Sequence, residues 1–315
     1  MRFRLVYSKD YLIDIGSHVF PTAKYNLIKK RLLRDFGAEE IEFIEPPPAR
    51  DEDVLLVHSK EYVEKLKNGA LTREEILTLE LPYSRELVRA SFLCCGGTIL
   101  ASRIAKKDGL GIHIGGGFHH AFSDHGEGFC VLNDIAVAIR RLKADGVVRR
   151  ALVIDCDLHQ GNGTAAIFSD DKDVFTFSIH QENNYPFFKP PGSLDIGLRD
   201  RASDTEYLNA LYDNIPKIIS DFKPDFLMYV AGADPYKDDQ LGALAVTKDG
   251  LRKRDEFIFQ QAANYYLATA VVLAGGYARR QEDTVEIHYN TITAGMRIYN
   301  ELYHGLNNVR LEKRG

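Results

Sequence analysis

Cysteine is scarce in this sequence, and its spacing argues against a cysteine metal site. The 315 residues include four cysteines, Cys94, Cys95, Cys130 and Cys156. No two of them form the Cys-x-x-Cys pair that is typical of cysteine zinc sites. Cys94 and Cys95 lie in one apolar stretch and Cys156 lies in another. We therefore expect buried, reduced thiols and a protein of a reducing compartment.

Targeting segments and long apolar runs are missing as well. The N-terminal residues MRFRLVYSKD contain no apolar core of the kind found in secretory signals. No stretch reaches the roughly 18 apolar residues that a membrane span needs. The sequence therefore favours a cytoplasmic protein without a membrane partner.

An excess of basic residues is also absent. Lys and Arg number 40 against 45 Asp and Glu, which gives a formal net charge of -5. This balance argues against a general nucleic-acid-binding protein, because such proteins usually carry a basic face. The proline run at residues 46–48 would leave only a marginal folding unit upstream. We therefore expect one domain that spans residues 1–315.

Apolar strand-like segments alternate with helical segments over most of the chain. Strands are predicted at residues 110–114, 151–156, 174–179, 226–230 and 270–273, and helices at about 23–36, 84–107, 131–144, 204–221 and 249–268. Apolar strands separated by helices are typical of a parallel sheet that is covered on both faces. We predict an α/β protein with three α/β/α layers and a central, mostly parallel sheet.

Polar residues follow five of the predicted strands, at the point where each strand ends. Ligands bind at the carboxyl edge of an open parallel sheet, so we expect these residues to form one site. They are His119 and His120, then Asp155, Asp157 and His159, then Ser178 and His180, then Asp234, and finally Tyr277.

The segment Asp157-Leu158-His159 and the distant Asp234 have the composition of a metal site. A catalytic zinc ion takes three nitrogen or oxygen ligands from the protein and keeps a fourth position for water or substrate. Residues two apart on an extended segment point to the same side, so Asp157 and His159 can share one ion. These residues predict a metal-dependent hydrolase.

The two adjacent histidines and one tyrosine can supply the remaining chemistry. Histidine titrates near neutral pH, so His119 and His120 can act as one base and one charged stabiliser. Tyr277 follows two glycines and is the candidate donor to an oxyanion. Phe129 and Phe187 are candidate walls for an aliphatic substrate chain such as a lysine stem.

Five ordered segments of the sequence resemble the zinc-dependent histone deacetylase family, within the arginase/deacetylase fold. They are GGGFHHAFSDHGEGFCVLND, VIDCDLHQGNGTAAIF, FTFSIHQENNYPF, AGADPYKDDQLG and AGGY. The region around His18 and the segment LPYSREL also look like the bacterial and class IV branch. The resemblance implies hydrolysis of an N-acyl amide, most simply acetyl, on lysine.

The resemblance also implies roles for individual residues. Zn²⁺ would be held by Asp157, His159 and Asp234, and Fe²⁺ also suits such a mixed nitrogen and oxygen site. His120 takes the place of the general base and acid, and His119 that of the histidine held by a buried carboxylate, here Asp155. The remaining matches are Tyr277 for oxyanion stabilisation, and Gly128, Phe129 and Phe187 for the acyl-lysine tunnel.

A structural K⁺ or Na⁺ site is implied in the same way. Its ligands would come from Asp155, Asp157, His159, Ser178 and the backbone of Ile179. A second, weaker cation site would use backbone near Phe168 and Val174.

Asn162 departs from the class I pattern, in which the partner of His120 is an aspartate, and looks like classes II and IV. A neutral partner stabilises an imidazolium less than a carboxylate does. We therefore predict that the pKa of His120 is lower than it would be with a carboxylate at position 162.

Several alternatives remain open from the sequence. An arginase-like ureohydrolase is disfavoured, because its second manganese site needs an aspartate where this chain has Tyr236. An acetylpolyamine amidohydrolase shares the catalytic residues, and a deacylase of longer fatty acyl chains is a further alternative. A non-catalytic acyl-lysine binding scaffold would bind zinc without turnover. The expected partner is an acylated lysine of a protein or a small acylated amine, and the oligomeric state is open.

Overall fold

Eight parallel strands form the central sheet of the protein. The computed structural model describes the backbone of residues 2–312 and the side chains of residues 2–302. The strands are β1 (Phe3–Val6), β2 (Ile41–Ile44), β3 (Leu110–His113), β4 (Ala151–Asp155), β5 (Val174–Gln181), β6 (Leu194–Leu198), β7 (Phe226–Val230) and β8 (Ala268–Val272). Their order across the sheet is β2-β1-β3-β8-β7-β4-β5-β6, and neighbouring strands are parallel. The prediction of a parallel sheet is confirmed.

Helices cover both faces of this sheet. They are α1 (Lys24–Glu40), α2 (Asp51–Val54), α3 (Lys60–Asn68), α4 (Arg73–Leu79), α5 (Arg85–Asp108), α6 (Asp134–Ala144), α7 (Asn162–Phe168), α8 (Asp204–Phe222), α9 (Lys248–Asn264) and α10 (Gln281–Glu312), with a 3₁₀ turn at Lys9–Tyr11. Successive strand residues point to opposite faces. Along β4, Leu152 and Ile154 join the core beneath α1 and α8 to α10, whereas Ala151 and Val153 join the core beneath α5 and α6. The three-layer architecture is therefore confirmed.

Helix α5 lies in the core, where the sequence predicts a helix at residues 84–107. It is long and apolar enough to cross a membrane by length and composition, with a mean hydropathy of 1.3 over 18 residues. Within the fold, 83% of that segment is buried, as in the core helix of a globular protein. A Cβ atom at Gly96 would lie 1.9 Å from the carbonyl oxygen of Pro47, so this helix packs closely on the neighbouring backbone. Its two cysteines are buried and free, as are Cys130 and Cys156.

The boundaries of several elements differ from the predicted ones for local reasons. Helix α6 begins at Asp134, three residues later than predicted, because the side chain of Asn133 accepts a hydrogen bond from the backbone of Ala136 at 2.9 Å. The predicted helix 249–268 ends at Asn264, and β8 begins at Ala268. Strands β1 and β6 and helix α10 were not predicted, and both strands are short.

A buried ion pair supports the strand ends that lead into the polar loops. Arg254 and Asp255 are fully buried and lie 2.8 Å apart. The Arg254 guanidinium also donates to the carbonyl oxygens of Cys156, after β4, and Gly232, after β7, at 3.3 and 2.7 Å. Each carbonyl stands close in sequence to one of the predicted metal ligands.

We expect Arg254→Met to lower the free energy of unfolding by about 3–5 kcal/mol, because Asp255 would stay buried without its cation. Arg252 provides a matched control, since it forms exposed pairs with Asp249 and Glu256 on the same helix. Arg252→Met should cost less than about 1 kcal/mol. Chemical denaturation measures both losses. Losses of equal size would contradict the inference that the buried pair of Arg254 and Asp255 supports the fold.

Candidate active site

The polar loops after five strands meet at the carboxyl edge of the sheet. Strands β4, β7 and β5 are in register there, with Asp155 paired to Val230 on one side and to Ser178 on the other. The loops after β3 and β8 adjoin them, since the backbone N–H groups of Leu273 and Ala274 donate to Gly115 and Gly116. The five predicted clusters therefore approach one another because parallel strands end at one edge.

Asp157, His159 and Asp234 form a compact group of possible metal ligands. One ligand atom from each lies within 4.8 Å of the other two, and all three residues are buried. Oδ1 of Asp234 accepts a hydrogen bond from the Leu158 backbone at 2.9 Å, while Oδ2 has no hydrogen-bond partner among the described residues. Burial, followed by the charge of Asp157, raises the pKa of Asp234 to about 6. Nδ1 of His159 lies 3.5 Å from this oxygen, and a bound cation would satisfy it.

The backbone around this group leaves room for an ion. A Cβ atom at Gly275 would lie 2.0 Å from Oδ2 of Asp234 and 2.7 Å from Oδ2 of Asp157. The Gly275 N–H donates to that Asp157 oxygen at 2.8 Å, which ties the loop after β8 to the loop after β4. Two carboxylates and an imidazole fit a divalent ion such as zinc or iron. These residues therefore could hold the metal predicted from the sequence.

The histidine pair lies beside the three possible ligands. Nδ1 of His119 is 2.7 Å from Oδ2 of Asp155, Nδ1 of His120 is 2.7 Å from Oδ1 of Asn162, and the two Nε2 atoms are 3.1 Å apart. Burial lowers the pKa of His119, but Asp155 and Asp157 outweigh it and raise that pKa to about 9. Burial, with the charges of His119 and His159, lowers the pKa of His120 well below its ordinary value. Two pKa values pushed apart in this way suit one charged and one basic imidazole.

A buried aspartate that sequence reasoning missed holds the loop before this pair. Asp134 accepts hydrogen bonds from the backbone N–H groups of Gly117 and Phe118, at 3.1 and 2.8 Å. Gly117 has φ of 90°, and a Cβ atom there would lie 2.6 Å from Ala274. The loop therefore needs this glycine. The Asn-Asp pair at the start of a predicted helix was a usable signal, since both side chains are suited to bind backbone N–H groups.

Tyr277 lines the same cavity as the two histidines and two of the possible ligands, Asp157 and His159. Its backbone N–H donates to Oδ2 of Asp239 at 2.7 Å, and the side chain of Gln240 donates to its carbonyl oxygen at 2.8 Å. Sequence reasoning missed Asp239 and Gln240, although both lie in the motif AGADPYKDDQLG. Their contacts with Tyr277 join residues 37 or 38 positions apart, which no local pattern reveals.

The structure brings one of the two predicted wall phenylalanines to the cavity. Phe129 lines it beside Gly128, and its ring centroid is 6.0 Å from that of Tyr277. Phe187 is fully exposed and is not among the residues that line this cavity, so its role as a tunnel wall stays a prediction. Tyr185, two residues earlier, packs edge-on against the ring of His120 with centroids 4.9 Å apart. The run Tyr-Pro-Phe-Phe offers three aromatic rings, and only the turn decides which one faces inward.

The monovalent cation sites stay predictions. Register places Ser178 beside Asp155, and the Ser178 hydroxyl lies 3.0 Å from Nδ1 of His180. Phe168 ends α7 and Val174 begins β5, where the second site was expected.

The Asn162 contact supports a pH experiment. Asn162→Asp would place a carboxylate on Nδ1 of His120, and an opposite charge at this distance raises a histidine pKa by about one to three units. The acidic limb of the pH profile of kcat/KM should therefore move to higher pH, because this limb reports protonation of the base. An acidic limb that stays in place would contradict the role of His120 as that base.

Comparisons with known proteins agree with this geometry. Residues 18–292 match the family model described as histone deacetylase domain. The chain is 40% identical to an uncharacterised protein of Picosynechococcus, over 91% of this chain and 96% of that protein. It is 32% identical to histone deacetylase 2 of Arabidopsis thaliana, over 90% and 77% of the two chains. The crystal structure of the HDA15 HD domain superposes with a TM-score of 0.76 at 22% identity, covering 94% of this chain and 88% of that one, which shows a shared fold. On these grounds the chain belongs to the histone deacetylase domain family and is a hydrolase.

Proposed function

We propose that this protein hydrolyses the N-acetyl amide of an acylated lysine, in a reaction that depends on zinc. The observation that carries the proposal is that His119, His120 and Tyr277 line one cavity together with Asp157 and His159, which form a buried ligand group with Asp234. A metal-ligand group, a base and an oxyanion donor are the three elements of metal-dependent amide hydrolysis. The proposal extends from family membership to a particular reaction and set of residues.

The proposed residue roles follow from the contacts at each atom. Asp157, His159 and Asp234 would hold a divalent ion, which would supply Lewis acidity toward the amide carbonyl and lower the pKa of the attacking water. Nε2 of His120 accepts a proton from the attacking water as the new C–O bond forms, and it gives that proton to the leaving amine when the amide C–N bond then breaks. The products are a carboxylate and a free lysine amine.

His119 and Tyr277 stabilise charge in this scheme. Asp155 favours a protonated His119, whose positive charge stands beside the reacting centre. The buried Tyr277 has a pKa raised well above its ordinary value by burial and by the charge of Asp157. It therefore keeps its proton and donates it as a hydrogen bond to the oxyanion.

The acyl group that fits best is short. A small apolar cavity of about 30 Å³ adjoins the site and shares Phe20, Phe118 and Phe129 with it. A space of this size holds about two water molecules, so it can accept a few carbon atoms without rearrangement. We therefore rank acetyl first and a modestly longer acyl group second. A myristoyl chain would need the surrounding side chains to move.

A panel of amides tests the proposal with the metal-loaded protein. It contains acetyl-, butyryl- and myristoyl-lysine peptides together with N-acetylated polyamines, and Tyr277→Phe and chelated protein serve as controls. We expect chelator-sensitive release from acetyl-lysine, with less from butyryl-lysine. Turnover of polyamines alone would replace the proposal with an amidohydrolase of small acylated amines. No turnover by a protein that binds zinc would favour the acyl-lysine binding scaffold.

A further inference from the structure

Glu127 is a partly buried carboxylate to which the proposed mechanism assigns no step. Its Oε1 accepts hydrogen bonds from Nδ2 of Asn162 at 2.7 Å and from the Tyr185 hydroxyl at 2.8 Å. Its Oε2 lies 3.4 Å from Nε2 of His125, which is partly exposed. Burial raises the pKa of Glu127, but the hydrogen bonds from His125, Tyr185 and Asn162 outweigh it and lower that pKa. Glu127 is therefore an ionised acceptor that faces three donors.

Asn162 connects this carboxylate to His120, and its amide can face the imidazole in two ways. An asparagine presents either an acceptor oxygen or a donor nitrogen. With Oδ1 facing Nδ1 of His120, as it does at 2.7 Å, a neutral His120 carries its proton on Nδ1. Its Nε2 then carries no proton, and a protonated His119, whose Nε2 lies 3.1 Å away, favours the same tautomer by donating to that atom. With Nδ2 facing the ring, the proton would move to Nε2 and the imidazole could not act as a base there.

Glu127 removes this ambiguity, because an ionised carboxylate accepts hydrogen bonds and cannot donate them. Facing Glu127, Asn162 must present Nδ2, and its Oδ1 then turns toward His120. We propose that Glu127 is a positioning residue that selects, through Asn162, the tautomer of His120 with a free Nε2. This inference rests on the proposed function, in which His120 is the base. In a serine protease, the wrong histidine tautomer costs about 10⁴-fold in kcat.

A second contact of Glu127 allows this role to be separated from a structural one. Tyr185 donates to the same oxygen and packs against the ring of His120. A carboxylate that merely anchored the turn would act through both contacts, whereas selection of the tautomer requires only the contact with Asn162. Tyr185→Phe removes the hydrogen bond from Tyr185 to Glu127 and leaves the one from Asn162.

Nitrogen NMR of protein with ¹⁵N-labelled histidine reads the tautomer directly and needs no substrate. The sample is the Zn²⁺-loaded protein at a pH at which His120 is neutral, and His120→Gln identifies the signals. We expect the proton on Nδ1 in the wild type and in Tyr185→Phe. In Glu127→Met, which keeps the length of the side chain and removes the acceptor, Nε2 should carry a substantial share of the proton. A wild-type pattern in Glu127→Met would overturn the inference.

Kinetic rescue provides the second test. Glu127→Met should lower kcat by about 10²-fold or more, given the cost of a wrong tautomer, with KM nearly unchanged. An ionised aspartate cannot donate, so at position 162 it presents an oxygen to His120 whatever residue stands at 127. The double variant Glu127→Met/Asn162→Asp should therefore recover at least about tenfold in kcat over Glu127→Met. Glu61→Met is the matched control, because that exposed side chain on α3 forms an ion pair with Lys65 at 3.2 Å, and the kcat of this variant should not change.

The remaining outcomes separate this inference from the proposed function. If both variants fold, as thermal unfolding reports, and Asn162→Asp gives no rescue, Glu127 does not act through Asn162. If Glu127→Met does not fold, Glu127→Gln, which adds a donor and keeps one acceptor oxygen, should show a smaller loss with the same rescue. A wild-type protein that hydrolyses no acyl-lysine would overturn the proposed function alone, since the tautomer measurement would still test Glu127.

Discussion

Replacing His120 with glutamine should lower kcat by about 10³-fold, within the 10²–10⁴ range typical of general acid–base catalysis. Glutamine has nearly the same reach and can contact Asn162, but it cannot accept a proton at the position of Nε2. KM should change little, because His120 acts on the attacking water and the leaving amine. Stopped assays of acetyl-lysine release measure both constants.

His159→Gln provides the matched comparison for this variant. It makes the same change at a predicted metal ligand that is 5.8 Å, centroid to centroid, from the His120 ring. We expect His120→Gln to retain the metal content of the wild type and His159→Gln to lose most of it, as measured by elemental analysis. Equal metal loss in both variants would mean that His120 contributes to binding the ion, and its role as a free base would be wrong.

Removal of the metal should lower the free energy of unfolding of the wild type, and this loss should depend on Asp234. A ligand present at about 1,000 times its dissociation constant adds about 4 kcal/mol to the free energy of unfolding. Chelation should therefore lower the Tm of the wild type markedly. In Asp234→Asn this dependence should largely disappear, because the carboxylate oxygen that has no hydrogen-bond partner among the described residues is replaced by an amide.

Without metal, Asp234→Asn should be more stable than the wild type, which reverses their order in the presence of metal. Asp157 and Asp234 are both buried, and Asn at position 234 removes one of two neighbouring carboxylates from a low-dielectric site. At pH 8 the free energy of unfolding of metal-free Asp234→Asn should then exceed that of the metal-free wild type by about 1–3 kcal/mol. Its Tm should be higher accordingly. Asp213→Asn, an exposed position on α8, should change neither value. A metal-free variant less stable than the wild type would show that the carboxylate stabilises the fold by itself.

The strands at the centre of the sheet were predictable from the sequence because they are buried on both faces. Strands β4, β7 and β8 are almost entirely apolar, and β5 begins with a mostly apolar segment, which is typical of strands in a parallel sheet that is covered on both faces. Strand β6 is only partly buried and carries a weaker pattern. For helix α5, composition alone does not distinguish a core helix from a membrane span.

The chemical composition of the site was also a property of the sequence alone. The motifs around His119, Asp157, Asp234 and Tyr277 each stand at a strand end, and parallel strands bring such ends to one edge. Local pattern therefore determined the fold class, the candidate ligands and the candidate base. These features depend on residues close together in the chain or on the regular geometry of a parallel sheet.

Tertiary structure alone decided how these groups are oriented. The contacts of Glu127 with Asn162 and Tyr185 join residues 35 and 58 positions apart, and Asp239 reaches Tyr277 across 38. The same is true of the aromatic residues after β5, where the ring of Tyr185 packs against His120 while Phe187 is exposed. Residue type and spacing establish which atoms can donate, accept or bind a metal. Only packing between distant loops determines which of those atoms face one another, because hydrogen bonds depend on distance and angle within fractions of an ångström and a few tens of degrees.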